Sequence, residues 1–352
     1  MPNIRVILAA IILSLVNVGC IYDDEPAPVP DGPEYTAGFY VTVEDGNSTS
    51  RAGEYDEGSG FENYIDLTGS DVRVVLYDTS KKYISTLSEL TITKVAEYSS
   101  GNRYYISGTT TADISSGIFK IMFLANWDKY PDLTDIEKVW AQQYTFSNTW
   151  ELSSTNLIPL YGIKDIKITG GIQTNVAANL GEIKLIRAMA KIEVNLNVAD
   201  GFTLEKLQLT HYNTRGYCTP DKADSEDDYF HGSWDKDYTA YVNIPTGTTA
   251  ETGLDFVKVS DSKWILYVPE YSNTTSGIEK AQIAISFQES YFKQTDYLDF
   301  LHPTTSAVMD IYRNYWYRFN ITKKPENSEL NVIVDVIPYS VVELEPGFGI
   351  LK

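Results

Sequence analysis

Short runs of strand-forming residues recur along this chain, and turn residues separate one run from the next. Three of the clearest runs are Val72–Tyr77, Ile118–Leu124 and Tyr315–Ile321. β-Branched and aromatic residues favour strands, and the chain has 26 tyrosines but only 4 methionines. Strands of this kind bury their apolar face by packing sheet against sheet. The pattern therefore predicts an all-β protein of β-sandwich type.

One segment departs from this pattern and predicts a short helix. Thr134 and Glu137 have the spacing of a capping box, with Thr134 as the expected N-cap. Apolar residues follow one face at helical spacing: Leu133, Ile136, Val139 and Trp140. We expect this helix to form a lid on one sheet.

The length of 352 residues suits about two domains of roughly 100–200 residues each. Gly170-Gly171 interrupts the strand pattern, which starts again at Gly181–Leu185. We place an N-terminal β-sandwich domain at 52–185 and a C-terminal one at 186–352. No interval between strands has the pattern of a βαβ unit, so a parallel α/β sheet is not expected.

The first nineteen residues read as a signal peptide. Arg5 precedes the apolar core Val6–Val16, which is too short for a spanning helix of about 20 residues. Val18-Gly19-Cys20 resembles a lipobox and predicts acylation of Cys20, although Asn17 stands where that pattern has an aliphatic residue. Cleavage by the general signal peptidase is the alternative. Residues 20–51 then form an acidic, proline-rich tether followed by a strand-like run, Thr36–Val43.

The net charge and the lack of recognised catalytic motifs in the sequence disfavour several classes of function. A formal charge of −20 disfavours nucleic acid and anionic membrane surfaces as partners. The sequence contains neither a nucleophile elbow nor a zinc-binding His-Glu-x-x-His pattern nor a phosphate-binding glycine loop. Cys218 has no partner once Cys20 is acylated, and we expect a buried thiol. We therefore expect no enzyme, no catalytic residue, no metal and no cofactor.

Seven acidic residues crowd into the segment Asp221–Asp237. Several carboxylates together suit a hard cation such as calcium. Their spacing differs from that of an EF-hand loop, so a solvated insertion loop is the other interpretation.

Several separated phrases resemble the fimbrillins, the subunits of type V pili of gut and oral anaerobic bacteria. The chain resembles a mature fimbrillin where Ser50-Arg51-Ala52 is followed by Phe61–Ile65 and the Val72–Tyr77 strand. Four interior phrases match in the same order: Phe123–Asn126, Ile158–Gly162, Arg187–Ile192 and Ile311–Phe319. The resemblance covers nearly the whole chain.

The resemblance implies two transthyretin-like β-sandwich domains and assembly by donor-strand exchange. It implies a lipoprotein precursor at the outer membrane, cut between Arg51 and Ala52 by an arginine-specific surface protease. The removed strand would carry Phe39, Val41 and Val43 on one face. Other pilus subunits would be the partners, and donor strands at about 330–352 would fill the vacated groove through Val332, Val334, Val336, Val342 and Leu344.

The expected function is therefore a structural one, as a stalk or tip subunit of a surface pilus that acts in adhesion. The alternative is a monomeric surface lipoprotein that binds glycans. Its sugar-stacking platforms would come from the tryptophans, since aromatic faces stack on sugar rings: Trp127, Trp234, Trp264 and Trp316.

Overall fold

The computed structural model of the protein describes residues 34–44, 61–98, 101–169, 178–199, 202–226, 243–250, 252–289, 292–303, 305–323 and 330–338. These residues form one short helix, α1 (Ile136–Trp140), and 21 strands. The strands up to residue 187 are β1 (Tyr35–Glu44), β2 (Val72–Asp78), β3 (Tyr83–Thr86), β4 (Ser88–Tyr98), β5 (Gly101–Thr110), β6 (Gly117–Ala125), β7 (Gln143–Thr145), β8 (Leu160–Ile168) and β9 (Ala178–Arg187). The later strands are β10 (Ala190–Val198), β11 (Thr203–Leu209), β12 (Tyr212–Asn213), β13 (Arg215–Tyr217), β14 (Thr249–Ala250), β15 (Leu254–Asp255), β16 (Val257–Lys258), β17 (Lys263–Val268), β18 (Gln282–Glu289), β19 (Phe292–Asp299), β20 (Tyr315–Lys323) and β21 (Asn331–Pro338).

Eight of the first nine strands form one sheet in the order β3-β2-β6-β8-β9-β1-β5-β4. β9 joins its two parts, because its end pairs with β8 while Ala178–Leu185 pair with β1. Buried side chains of β2 and β6 form one apolar cluster with those of β1, β5 and β9. The two parts of the sheet therefore pack face to face, as the layers of a β-sandwich do.

Nine of the strands from residue 190 onward form two further sheets, β16-β17-β10-β20-β21 and β15-β11-β18-β19. Of the other three, β12 pairs with β14, and β13 pairs with β7. A second apolar cluster fills the space around them, with the Phe300 ring packed edge-on against Tyr317 and Phe319. The same cluster takes in the opposite face of β2 and β6, through Val75 and Met122. Alternation along β2 and β6 thus supplies both clusters, because successive side chains of a strand point to opposite faces.

The prediction of an all-β protein with one short helix is confirmed. Two strand pairs are parallel, β1 with β9 and β10 with β20. Several strands separate the partners of each pair along the chain, so neither pair is a βαβ unit. The chain leaves the eight-stranded sheet at Arg187 and enters the five-stranded sheet at Ala190. The domain bounds given above stay a prediction.

The predicted N-cap of the helix was wrong. Asp135 caps α1, since its carboxylate accepts a hydrogen bond of 3.1 Å from the Glu137 amide. Thr134 is engaged elsewhere, because its hydroxyl donates to the Asp132 carboxylate at 2.6 Å. The helix therefore begins at Ile136, and its buried residues Ile136, Val139 and Trp140 cover the cluster as the expected lid.

The sequence pattern did not predict β19, because most of its residues are polar, as suits its position at the edge of the described four-stranded sheet. The expected strand at Ala240–Ile244 is not found at Asn243 and Ile244, and residues 240–242 lie outside the described part. Among the described residues, no helix is long and apolar enough to span a membrane.

Candidate functional site

The first strand occupies an inner position in its sheet. β1 pairs antiparallel with β5 over its whole length, from Tyr35 opposite Thr110 to Glu44 opposite Gly101. On its other side it pairs in parallel with β9. Both backbone edges of β1 are therefore used, and its loss would leave two unpaired edges, on β5 and on β9.

The inward face of β1 is apolar and fully buried from Ala37 to Val43. Ala37, Phe39, Val41 and Val43 each have 0% of their surface exposed. The Phe39 ring packs edge-on against Phe123 of β6, with centroids 6.2 Å apart. Burial of the three large side chains stabilises the strand by roughly 5–9 kcal/mol, at about 1.5–3 kcal/mol each. The predicted alternation of Phe39, Val41 and Val43 on one face agrees with this arrangement.

The outward face of β1 is covered by side chains from its two neighbours. The Arg103 guanidinium of β5 lies 4.1 Å from the centroid of the Tyr40 ring. Arg103 also donates to Glu182 of β9 at 3.3 Å, so this ion pair joins the two strands that flank β1. Tyr105 of β5 packs against Tyr40, with ring centroids 5.2 Å apart.

The segment that precedes β2 is held by a buried polar cluster around Glu62. Lys191 of β10 donates to the Glu62 carboxylate at 2.7 Å, and the Tyr267 hydroxyl donates to the same oxygen. Both ends of the ion pair are buried, with 1% of the Lys191 side chain and 10% of the Glu62 side chain exposed. Arg187 donates from Nε to the Glu62 carbonyl at 3.4 Å and from Nη2 to Asn63.

Further hydrogen bonds extend this attachment toward the first sheet. The Tyr104 hydroxyl of β5 donates to the Asn63 carbonyl at 3.0 Å and accepts from the Ile65 amide at 3.2 Å. Asn126 donates to the Tyr64 carbonyl at 2.8 Å. None of these hydrogen bonds to residues 62–65 involves β1, although Ile65 belongs to the same apolar cluster as the β1 side chains.

Sequence reasoning missed this polar cluster as a site. The sequence did contain an indication of it, because the charged residues Lys191 and Glu193 interrupt an apolar run. In the structure both are 1% exposed. A buried charge requires a partner of opposite charge, so each of these two residues predicts a counter-ion elsewhere in the chain. Nothing local identified Glu62 as the partner of Lys191, because the two are far apart in sequence.

The described part of the predicted donor segment forms β21 at the edge of the five-stranded sheet. Among the described strands β21 pairs with β20 alone, in antiparallel register from Asn331 opposite Thr322 to Pro338 opposite Tyr315. Val336 is buried, Val332 and Val334 pack half-buried against the core, and Ile333 is 58% exposed. Val342 and Leu344 lie outside the described residues.

The predicted lipidation and cleavage residues, Cys20, Arg51 and Ala52, also lie outside the described part of the chain. Cys218 is buried, and burial raises the pKa of its thiol well above the ordinary value. Only thiolate is a good nucleophile, so this environment suits the expected inert core cysteine.

The described end of the acidic loop contacts lysines of the first sheet. Asp224 pairs with Lys81 at 2.6 Å, and Glu226 lies 3.6 Å from Lys164. Glu226 also accepts a 2.7 Å bond from the Lys184 amide, while desolvation raises the pKa of its carboxyl group. In the described ranges, no three metal-ligating side chains come together. Residues 227–237 of the loop lie outside them.

The three described tryptophans of the glycan-binding alternative are poorly placed for stacking on a sugar. Trp127 and Trp316 are 2% and 4% exposed, and Trp264 is half-buried with Lys258 over its ring. Trp234 lies outside the described residues. A cleft of about 390 Å³ opens beside Tyr271, Asp310 and Tyr312, and none of the three described tryptophans lines it.

Comparison with known proteins gives similarity in structure only. No family model matches the sequence, and no curated protein sequence does. The tip fimbrial protein Mfa3 from Porphyromonas gingivalis, solved with a C-terminal truncation, superposes with a TM-score of 0.58 at 12% identity. The match covers 86% of this chain and 99% of that one. The chain has the fold of a fimbrial tip protein.

The match to the tip protein confirms the resemblance of the sequence to the fimbrillins at the level of the fold. A fimbrial assembly protein from Parabacteroides distasonis is also similar, with a TM-score of 0.44 and 13% identity over 85% of this chain and 95% of that one.

Proposed function

We propose that this protein is a structural subunit of a bacterial surface pilus, either stalk or tip, that acts in adhesion. In this proposal it is exported as a lipoprotein through Cys20 and reaches the outer membrane. An arginine-specific surface protease then cuts after Arg51, and the mature protein joins other subunits by donor-strand exchange. The observation that carries the proposal is the inner position of β1 between β5 and β9, with the apolar side chains from Ala37 to Val43 fully buried against the facing layer.

The topology supports a cut in the connection between β1 and β2. Every other described strand of the eight-stranded sheet lies after that connection, so a cut at Arg51 would divide none of them. The buried ion pair of Glu62 with Lys191 and the bonds to Tyr104 would still hold the new N-terminal region. A released β1 would leave an apolar groove between two open strand edges, which is a template for an incoming strand.

The donor would come from the C-terminal region of another subunit. β21 completes the five-stranded sheet here, so Val332, Val334 and Val336 can act as donors only after β21 leaves β20. In the described part of the chain β21 has one neighbour, β20, and edge strands open more readily than inner ones. Val342 and Leu344 follow β21 in the chain and would reach a neighbouring groove without that step.

Replacement of Arg51 by Gln should block maturation. An arginine-specific protease cannot cut after glutamine, so the variant should stay lipidated and keep its N-terminal strand. N-terminal sequencing of surface material from the producing bacterium should give Ala52 for the native protein and no such terminus for Arg51→Gln. The matched control is Arg215→Gln, an exposed arginine that should leave maturation unchanged. A native N-terminus other than Ala52 would refute the assignment.

Deletion of residues 340–352 should separate folding from assembly. The truncated protein keeps every described strand, so it should be exported, lipidated and folded. It should no longer enter SDS-resistant ladders, because the groove of the next subunit receives no strand. Cell-surface fractions run on gels with and without boiling would measure this. Ladders of normal length from the truncated protein would exclude these residues as the donor.

A further inference from the structure

Two outward positions of β1 are in close contact with the neighbouring strand. At Gly38, a Cβ atom would lie 2.2 Å from the Tyr105 hydroxyl oxygen and 3.0 Å from the adjacent ring carbon. Atoms at that separation overlap, so the phenol of Tyr105 occupies the space that a side chain at position 38 would need. Glycine is the residue that fits without displacing Tyr105.

The side chain at the next outward position, Tyr40, contacts Arg103. The Arg103 guanidinium stacks over the Tyr40 ring at 4.1 Å, and Glu182 holds that guanidinium from the other side of β1. A cation over an aromatic face is attracted by the ring quadrupole. Arg103 and Tyr105 both belong to β5, which would stay in place when β1 leaves.

We propose that Tyr105 and Arg103 make the groove selective for a strand with glycine at the position of Gly38 and an aromatic residue at the position of Tyr40. This inference rests on the proposed function, because it concerns the strand that would replace β1. At the first position a side chain would have to displace the Tyr105 phenol, which disfavours it, and at the second position Arg103 favours an aromatic ring. The inward positions require only apolar residues, as Ala37, Phe39 and Val41 show.

The C-terminal region of this chain lacks that combination. Between residues 330 and 352 the glycines are Gly347 and Gly349, and the aromatic residues are Tyr339 and Phe348. No glycine there stands two residues before or after an aromatic residue, so the pattern is missing in either strand direction. We therefore assign the preferred occupant to a different subunit, whose donor strand carries glycine and an aromatic residue two positions apart.

The test uses the full chain with a site for a sequence-specific protease placed within residues 46–51. After the cut, a fluorescent peptide of residues 34–44 is added, and binding is followed by polarisation as the original strand is displaced. Peptides with Gly38→Val, with Tyr40→Ala, and with the sequence of residues 330–338 are compared. We expect about tenfold weaker binding for Gly38→Val because of overlap. We expect about threefold weaker binding for Tyr40→Ala because the cation–aromatic contact is lost.

Two variants of the protein test whether Tyr105 and Arg103 are responsible for the selectivity. In Tyr105→Ala the penalty for the Gly38→Val peptide should shrink to less than about twofold, because the overlap is removed. In Arg103→Gln the preference for the native peptide over the Tyr40→Ala peptide should disappear. Val95→Ala, an exposed change on the neighbouring strand β4, serves as the control and should alter neither preference.

The outcomes distinguish a failure of strand exchange from a failure of the proposed selectivity. If the native peptide does not replace β1, strand exchange itself fails and this inference fails with it. If the native, Gly38→Val and Tyr40→Ala peptides bind equally, exchange stands and the selectivity is refuted. If the Gly38→Val penalty persists in Tyr105→Ala, Tyr105 is not the selecting residue. Binding of the 330–338 peptide as tight as that of the native peptide would overturn the assignment to a different subunit.

Discussion

Phe39→Ala is expected to lower the free energy of unfolding of the uncut protein by about 3–5 kcal/mol, the usual cost of truncating a buried Phe. Phe39 is fully buried on an inner strand, and its ring packs against Phe123 of the facing layer. The truncation leaves a cavity in a core bounded by β-sheet on both sides, which cannot collapse easily. Urea denaturation followed by tryptophan fluorescence would measure the change.

The control for Phe39→Ala is Tyr297→Ala, which removes an aromatic ring that is 57% exposed on edge strand β19. That change should stay within about 0.5 kcal/mol. Amide hydrogen exchange adds a local measurement, because Phe39→Ala should speed exchange in β1 more than in β20. A loss below about 1 kcal/mol for Phe39→Ala would mean that β1 is not packed as described. Its departure would then open no apolar groove.

Lys191→Met is expected to destabilise the protein by about 3–5 kcal/mol, because it leaves the Glu62 carboxylate buried without its cation. The ammonium lies 2.7 Å from that carboxylate and 4.6 Å from the Trp316 ring centroid, and the pair joins residue 62 to β10. Methionine keeps most of the side-chain volume of lysine, so the loss of stability reflects the missing charge rather than a cavity. Thermal and urea unfolding would both show it.

Two comparisons make the Lys191 result specific. Adding Glu62→Gln to Lys191→Met should recover part of the lost stability, because the uncompensated charge is gone. Lys258→Met breaks an ion pair of similar length, 2.9 Å to Asp261, that is exposed on both sides and should change stability little. Equal effects of Lys191→Met and Lys258→Met would show that the buried pair does not hold the segment after the cleavage position.

The strands themselves were largely predictable, because strand-forming residues and a period of two are local properties. Alternation along Thr36–Val43 placed Phe39, Val41 and Val43 on one face, and that face is buried. The helix was found but its start was not. Asp132 competes for the Thr134 side chain, and a spacing rule does not include that competition. Polar edge strand β19 carried no apolar pattern to find.

Sequence by itself determined most of the strands, the apolar face of β1, and that a strand precedes Arg51. Only the tertiary structure decided that this strand lies between β5 and β9, with Tyr105 over Gly38 and Arg103 over Tyr40. The ion pair between Glu62 and Lys191 was likewise visible only in the tertiary structure. The physical reason is that every strand offers the same backbone donors and acceptors at its edges. Local sequence therefore specifies which face is buried, while long-range packing selects the neighbours.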